Sequence, residues 1–186
     1  MAKEFVRPLD DVNVVEMATF IAVPATGRLL SDMGAHVIKI ESAKGDNLRF
    51  TAPSEGRPLD QDENTSFDLE NSGKEIITLD VRTPEGKGVL DKMLSNADIL
   101  LTNWRPQALE RHGLDYETLK KKFPKLVMGN VTGYGEKGPD KDLPGFDYTA
   151  FFARGGWSGS LYQKGTVPGN WIPGLGDHQA AMTLAA

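Results

Sequence analysis

VNVVEMATFIAVPATGRLLSDMGAHVIKI, residues 12–40, decides the fold. Val12-Asn13-Val14-Val15-Glu16 is short and rich in β-branched residues, which suits a buried strand. Pro24 fits the first turn of a helix through Met33, with Leu29, Leu30 and Met33 on one face. Gly34 ends that helix, and His36-Val37-Ile38-Lys39-Ile40 forms the next strand. Short connections between strand, helix and strand make a βαβ unit, whose two strands run parallel.

The alternation recurs downstream. Glu75-Ile76-Ile77-Thr78-Leu79 reads as a strand, and Thr83-Pro84-Glu85 opens a helix that turns Val89, Leu90, Met93 and Leu94 inward. Asp98-Ile99-Leu100-Leu101-Thr102 is another strand, followed by Asn103-Trp104-Arg105-Pro106 and a short helix to about His112. Asp115 caps a helix from Tyr116 to Lys122, and Leu126-Val127-Met128-Gly129-Asn130-Val131 is a further strand. The expected fold is α/β, a Rossmann-like, mainly parallel sheet with flanking helices. Such sheets bind ligands beyond the carboxyl ends of their strands, here segments 17–24, 41–49, 102–106 and 132–138. The polar stretch from Glu41 to Gly73 reads as irregular, and too long for a passive connection. No GxGxxG fingerprint or Walker P-loop occurs, and Gly133-Tyr134-Gly135 is too short to count as either.

A second stretch carries the chemistry. Pro173-Gly174-Leu175-Gly176-Asp177-His178-Gln179 brings glycines up to a carboxylate at the start of an apolar helix. Helix starts offer unpaired N–H groups and a positive dipole end, which suit anionic chemistry. An aspartate there is most often an N-cap, and it can also be a nucleophile. The run Ala180-Ala181-Met182-Thr183-Leu184-Ala185-Ala186 carries no helix stop signal. The sequence is therefore expected to be the front portion of a longer protein.

Composition narrows the classes. A net charge of −5 argues against a general nucleic-acid binder, because phosphate-tracking surfaces need clustered Lys and Arg. No run approaches the roughly 20 apolar residues of a membrane span. Met1-Ala2-Lys3-Glu4 lacks a secretory pattern, so a cytoplasmic location is expected. The absence of cysteine removes thiolate chemistry and disulfides, and His36, His112 and His178 show no metal-ligand spacing. No metal is expected.

Several segments, in order, resemble the family III CoA-transferases. They are Gly34-Ala35-His36-Val37-Ile38-Lys39-Ile40-Glu41, Lys44-Gly45-Asp46, Thr83-Pro84-Glu85-Gly86 and Thr102-Asn103-Trp104-Arg105-Pro106, then Gly133-Tyr134-Gly135-Glu136-Lys137-Gly138-Pro139 and Pro144-Gly145-Phe146-Asp147-Tyr148. Residues 52–59, 147–156 and 174–179 are most similar to the clostridial 2-hydroxyacyl and aryl-lactate branch of amino-acid fermentation. That branch implies (R)-2-hydroxyisocaproate or (R)-phenyllactate as the acid.

The resemblance implies that residues 1–186 are the front of a large, CoA-binding domain, with its remainder and a small domain lying beyond. It also implies an interlocked homodimer and acyl-CoA plus a small carboxylic acid as substrates. By the family pattern Asp177 is the catalytic residue. Coenzyme A would lie against Thr19, Ile21, Ala22, the segment around Leu79, Asn103, Trp104 and Arg111, with Arg105 and Arg111 suited to phosphate. Either arginine reads equally as a solvated charge, and Trp104 equally as core. The aromatic run Phe146, Tyr148, Phe151, Phe152, Trp157 reads first as core packing. Two positions depart from the formyl-CoA transferase branch, Ile21 for a glutamine and Gly145 for a lysine, which argues against formyl and oxalate substrates. The rival α-methylacyl-CoA racemase branch carries Gly-His-Asp where this sequence has Gly145-Phe146-Asp147, and Phe146 cannot carry a proton. A non-catalytic CoA-binding module is the reading from another class.

Overall fold

The computed structural model describes residues 7–60, 63–169 and 172–186. Residues 1–4, on which the expectation about a leader rests, lie outside the described residues. Strands β1 (Asn13–Met17), β2 (His36–Glu41), β3 (Glu75–Thr78), β4 (Ile99–Thr102) and β5 (Val127–Asn130) form one sheet in the order β3-β2-β1-β4-β5. All four pairings are parallel, with Glu16 opposite Lys39 and Met17 opposite Thr102. The expected α/β architecture is what the chain adopts.

Alternation along β1 divides the core. Val14 faces a cluster with Val23 and Leu30 of helix α1 (Ala22–Asp32), joined by Leu184 and Ala185 of helix α7 (Leu175–Ala185). Val15 and Met17 face the other side, against Leu90 and Leu94 of α3 (Pro84–Leu94), Leu109 of α4 (Pro106–His112) and Leu119 of α5 (Tyr116–Lys122). Period-two exposure of each strand thus fills two helical layers.

Local signals placed most helix starts. Thr83 Oγ1 accepts from Gly86 N at 3.0 Å, and Asp115 Oδ1 accepts from Thr118 N at 3.0 Å. Helix α1 begins at Ala22 with no side-chain cap, which places Pro24 in its first turn as expected. The stretch from Glu41 to Gly73 is not wholly irregular. It holds 3-10 turns at Asn47–Phe50 and Ala52–Glu55 and helix α2 (Thr65–Asn71). Asn64 caps α2 by accepting from Phe67 N, and the buried Phe67 ring lies 3.5 Å beneath the Arg49 guanidinium. Seven residues with one deeply buried aromatic leave too little periodicity to read as a helix.

Beyond β5 the chain makes a π-helical run, Asp147–Arg154, and a short helix α6 (Trp157–Ser160) before reaching α7. Among the described residues no helix is long and apolar enough to cross a membrane.

Candidate functional site

The sheet order places β1 and β4 side by side, with the chain leaving them for opposite faces, and opens a crevice at their carboxyl ends. The Asn103 amide bridges that crevice. Its Nδ2 donates to Thr19 O at 2.7 Å and its Oδ1 accepts from Thr19 N at 3.2 Å. Both halves of the side chain are spent on holding the loop after β1.

A buried ion cluster holds the same loop from the other side. Lys39 Nζ lies 2.9 Å from Glu16 Oε1, 2.8 Å from Ala18 O and 3.1 Å from Asp46 Oδ2. Asp46 Oδ1 accepts from Phe20 N at 3.0 Å and Leu48 N at 3.0 Å. Phe20 has φ +62°, the only positive φ outside glycine among the described residues. A bulky residue in the left-handed region is strained, and it persists only where its surroundings over-determine it. Asp46 supplies that constraint through Phe20 N, and Lys39 in turn pairs with Asp46. The Gly45-Asp46 segment therefore acts as a pedestal for the site.

Asp177 occupies the third position of α7, so it does not cap its own helix. Gly174, with φ +79°, is the N-cap residue, and the carboxylate that satisfies the helix start is Asp147, 30 positions upstream of Asp177. Asp147 Oδ2 accepts from Gly174 N and its Oδ1 from Gly176 N, both at 2.8 Å. Those two N–H groups are engaged and are not open donors for a developing oxyanion. Glycine is required at 176, because a Cβ there would sit 2.3 Å from the Phe151 ring and 2.5 Å from Asp147 Oδ1.

None of the hydrogen bonds among the described residues uses the Asp177 carboxylate. Burial, reinforced by the neighbouring Asp147 carboxylate and more weakly by Glu70, pushes its pKa up to about 6, while His178 pulls the other way. At pH 7 such a group is still mainly ionised. A poorly solvated carboxylate that is not tied up in hydrogen bonds can attack an electrophilic carbonyl without a general base.

Asp177 lines a cleft of about 670 Å³ with Thr19, Ile21, Ala22, Asn103 and Arg105. Five of the sequence-predicted ligand contacts are thus brought to one place, and Arg105 is the one cation among the lining residues. Trp104, Leu79 and Arg111 are elsewhere. Trp104 is half-buried against the α3–α5 layer and meets His112 edge-on at 5.9 Å. Leu79 packs on the same layer, and Arg111 is exposed in the last turn of α4. The aromatic run divides: only Phe152 is fully buried, while Phe146, Tyr148 and Phe151 line the cleft. Phe20 and Phe146 meet edge to face at 6.0 Å across its wall.

Sequence reading missed Asp147 as the cap of α7, Glu70, and the Glu16–Lys39–Asp46 cluster. The only signal for the cluster was Glu16 and Lys39, a charge of each sign, set among the apolar residues of two strands. Nothing local could have joined Asp147 to a helix start 27 residues away.

Comparison with known proteins bears on this geometry. A family described as CoA-transferase family III matches residues 9–186. The chain is 69% identical, over 94% of its length, to cinnamoyl-CoA:phenyllactate CoA-transferase of Clostridium sporogenes, covering 42% of that protein. It is 50% identical, over 96% of its length, to (R)-2-hydroxy-4-methylpentanoate CoA-transferase of Clostridioides difficile, covering 45% of that one. A crystal structure of a CaiB/BaiF family protein from Brucella suis superposes with a TM-score of 0.81 at 33% identity, over 95% of this chain and 48% of the other. The chain spans less than half the length of these relatives.

Proposed function

The chain belongs to family III of the CoA-transferases, and from that premise we propose that the whole protein moves CoA between an acyl-CoA and a 2-hydroxy carboxylic acid. The observation that carries the reading is Asp177, poorly solvated and unpaired by hydrogen bonds, in a cleft that also holds the Thr19–Ala22 loop and Arg105. In this reading a carboxylate oxygen of Asp177 attacks the thioester carbonyl, the C–S bond breaks, and CoA leaves as thiolate. The acceptor carboxylate then attacks the aspartyl carbonyl of the mixed anhydride and expels the donor acid as its carboxylate. The thiolate attacks the acceptor carbonyl of the new anhydride to form the new thioester and release Asp177. Splitting the transfer into covalent steps replaces one difficult reaction with easier ones.

Support for an aromatic or branched acid comes from Phe20, Phe146, Tyr148 and Phe151 along the cleft, and from the substrates in the two relatives' names. Phe146 also stands where a proton-carrying side chain would be needed for racemisation. The described residues would form the front of the CoA-binding domain of a cytoplasmic enzyme. The remaining length of its relatives would supply the rest of the site in an interlocked dimer.

The test uses the full-length protein with cinnamoyl-CoA and phenyllactate. Transfer is expected, and hydroxylamine added during turnover should convert Asp177 to a hydroxamate detectable by peptide mass. Transfer without modification of Asp177 would overturn the covalent role, and no transfer to any 2-hydroxy acid would overturn the function.

The cleft's single cation gives a second expectation. Arg105→Ala should raise KM for acyl-CoA about ten-fold, a typical loss for one charge-assisted hydrogen bond, with a smaller effect on kcat. Arg111→Ala should do the same if the CoA phosphates reach the end of α4. Steady-state kinetics at two ionic strengths separate phosphate anchors from surface charges, because screening should weaken binding by the wild type more than by the variant.

A further inference from the structure

We propose that His178 and Glu70 share one extra proton and through it fix both the Gly174 turn and the charge on Asp177. The activity part of this inference rests on the reading of Asp177 as nucleophile; the proton count does not.

His178 Nδ1 lies 2.7 Å from Gly174 O, and its Nε2 lies 3.0 Å from Glu70 Oε1. A backbone carbonyl can only accept, so Nδ1 must carry hydrogen. A carboxylate can only accept as well, so either Nε2 also carries hydrogen or Glu70 is protonated and donates to Nε2. Ring and carboxyl together hold two protons in both arrangements. A neutral ring facing an ionised Glu70 holds one fewer, and would set a bare lone pair against a carboxylate or against the carbonyl.

The surroundings favour retention of that proton. Glu70 comes from α2 with its carboxyl almost fully buried, and burial raises its pKa despite His178, Lys74 and Arg28 nearby. The two cations beyond the pair have other partners. Lys74 Nζ contacts Glu16 Oε2 at 2.8 Å, Pro24 O at 2.8 Å and Asn71 Oδ1 at 3.0 Å, and Arg28 pairs with Asp32 at 2.8 Å. Around Asp177 the facing groups are Asp147 on the π-helical run, His178 on its own helix and Glu70 on α2.

Two consequences follow for the cleft. Nδ1–H ties down the carbonyl of Gly174, the residue whose positive φ turns the chain into α7, so the bond orients Asp177. With the shared proton on the ring, the pair presents a positive charge to Asp177 from His178 and a negative one from Glu70, and the His178 effect is the larger. His178 and Glu70 are positioning residues, acting through Asp177 rather than on substrate.

The experiment uses the full-length protein labelled with ¹⁵N-histidine, in wild-type, Glu70→Gln and His178→Gln forms; the last identifies the His178 signals. In the wild type at pH 7.5 the expected spectrum is of a ring protonated at both nitrogens, or of Nδ1–H with Nε2 hydrogen-bonded to a carboxyl proton. Glu70→Gln keeps the shape and a hydrogen bond to Nε2 but removes the acid. It should leave a ring protonated at Nδ1 alone at pH 7.5, since the amide can donate to Nε2. The acid limb of the kcat/KM profile should then move up by about one pH unit, the size of shift a nearby charge produces. A wild-type ring with an unprotonated, unbonded Nε2 at pH 7.5 would overturn the shared proton whatever the activity. An unmoved acid limb in Glu70→Gln would overturn the link to Asp177.

Discussion

Asp177→Asn in the full-length protein is expected to abolish CoA transfer, lowering kcat by several orders of magnitude, while making the protein more stable above pH 6. The first effect follows from replacing the attacking oxygen by an amide that cannot form an anhydride. The second follows from linkage. The folded pKa of Asp177 is about 6, above the ordinary value of 3.8, so the folded state holds the proton more tightly than the unfolded chain. The ionised carboxylate therefore costs stability in full above pH 6, and that cost disappears as pH falls below about 4. Its size is on the order of 1–2 kcal/mol after discounting for partial exposure. Asparagine removes the charge and relieves the repulsion from Asp147, so denaturant midpoints of variant and wild type should coincide near pH 4, diverge between about pH 4 and 6 and stay apart above that. Retention of a tenth of wild-type turnover would take Asp177 out of the nucleophile role. Equal midpoints at pH 8 would show that the carboxylate is hydrated in the whole protein.

This combination separates a functional carboxylate from a structural one. Asp147 shows the contrast in the same helix start. Its carboxylate accepts two backbone N–H bonds, so Asp147→Ala should lower stability by about 1–2 kcal/mol through loss of a cap. Thermal or denaturant unfolding of the two single variants should move in opposite directions at pH 8.

Why the strands and most helix starts were legible, and these contacts were not, has one physical basis. Residues 12–40 declare their structure locally: β-branched runs fix the strands, and Gly34 marks the helix end. Thr83 and Asp115 sit three residues from the N–H groups they cap. The crevice between β1 and β4 also follows from strand order, which brought Thr19, Ile21, Ala22, Asn103 and Arg105 together. What stayed hidden depends on long-range partners. Asp147 meets Gly174 across 27 positions, and Glu70 meets His178 across 108. Helix α2 stayed hidden for a related reason, since its seven residues are held by Asn64 and the Arg49–Phe67 stack rather than by periodicity.

The buried cluster under the loop after β1 sets the largest stability effect. Glu16, Lys39 and Asp46 are each fully buried, and Lys74 brings a second ammonium to Glu16 at 2.8 Å. Burial pulls both lysines toward neutrality. Lys39 faces two carboxylates, so its pKa ends above the usual lysine value, whereas that of Lys74 falls to about 8. Lys39→Met would leave Asp46 without its cation in a dry interior, at an expected cost of about 3–5 kcal/mol. Asp46→Asn in that background should restore a substantial part. The asparagine Oδ1 still accepts from Phe20 N and Leu48 N, while the uncompensated charge is gone. The double variant should also recover substrate affinity, because Phe20 at φ +62° is held by that oxygen rather than by the ammonium. A cost below about 1 kcal/mol for Lys39→Met would mean that water reaches the cluster. Failure of Asp46→Asn to rescue would place the loss in the other two contacts of the ammonium, with Glu16 Oε1 and Ala18 O.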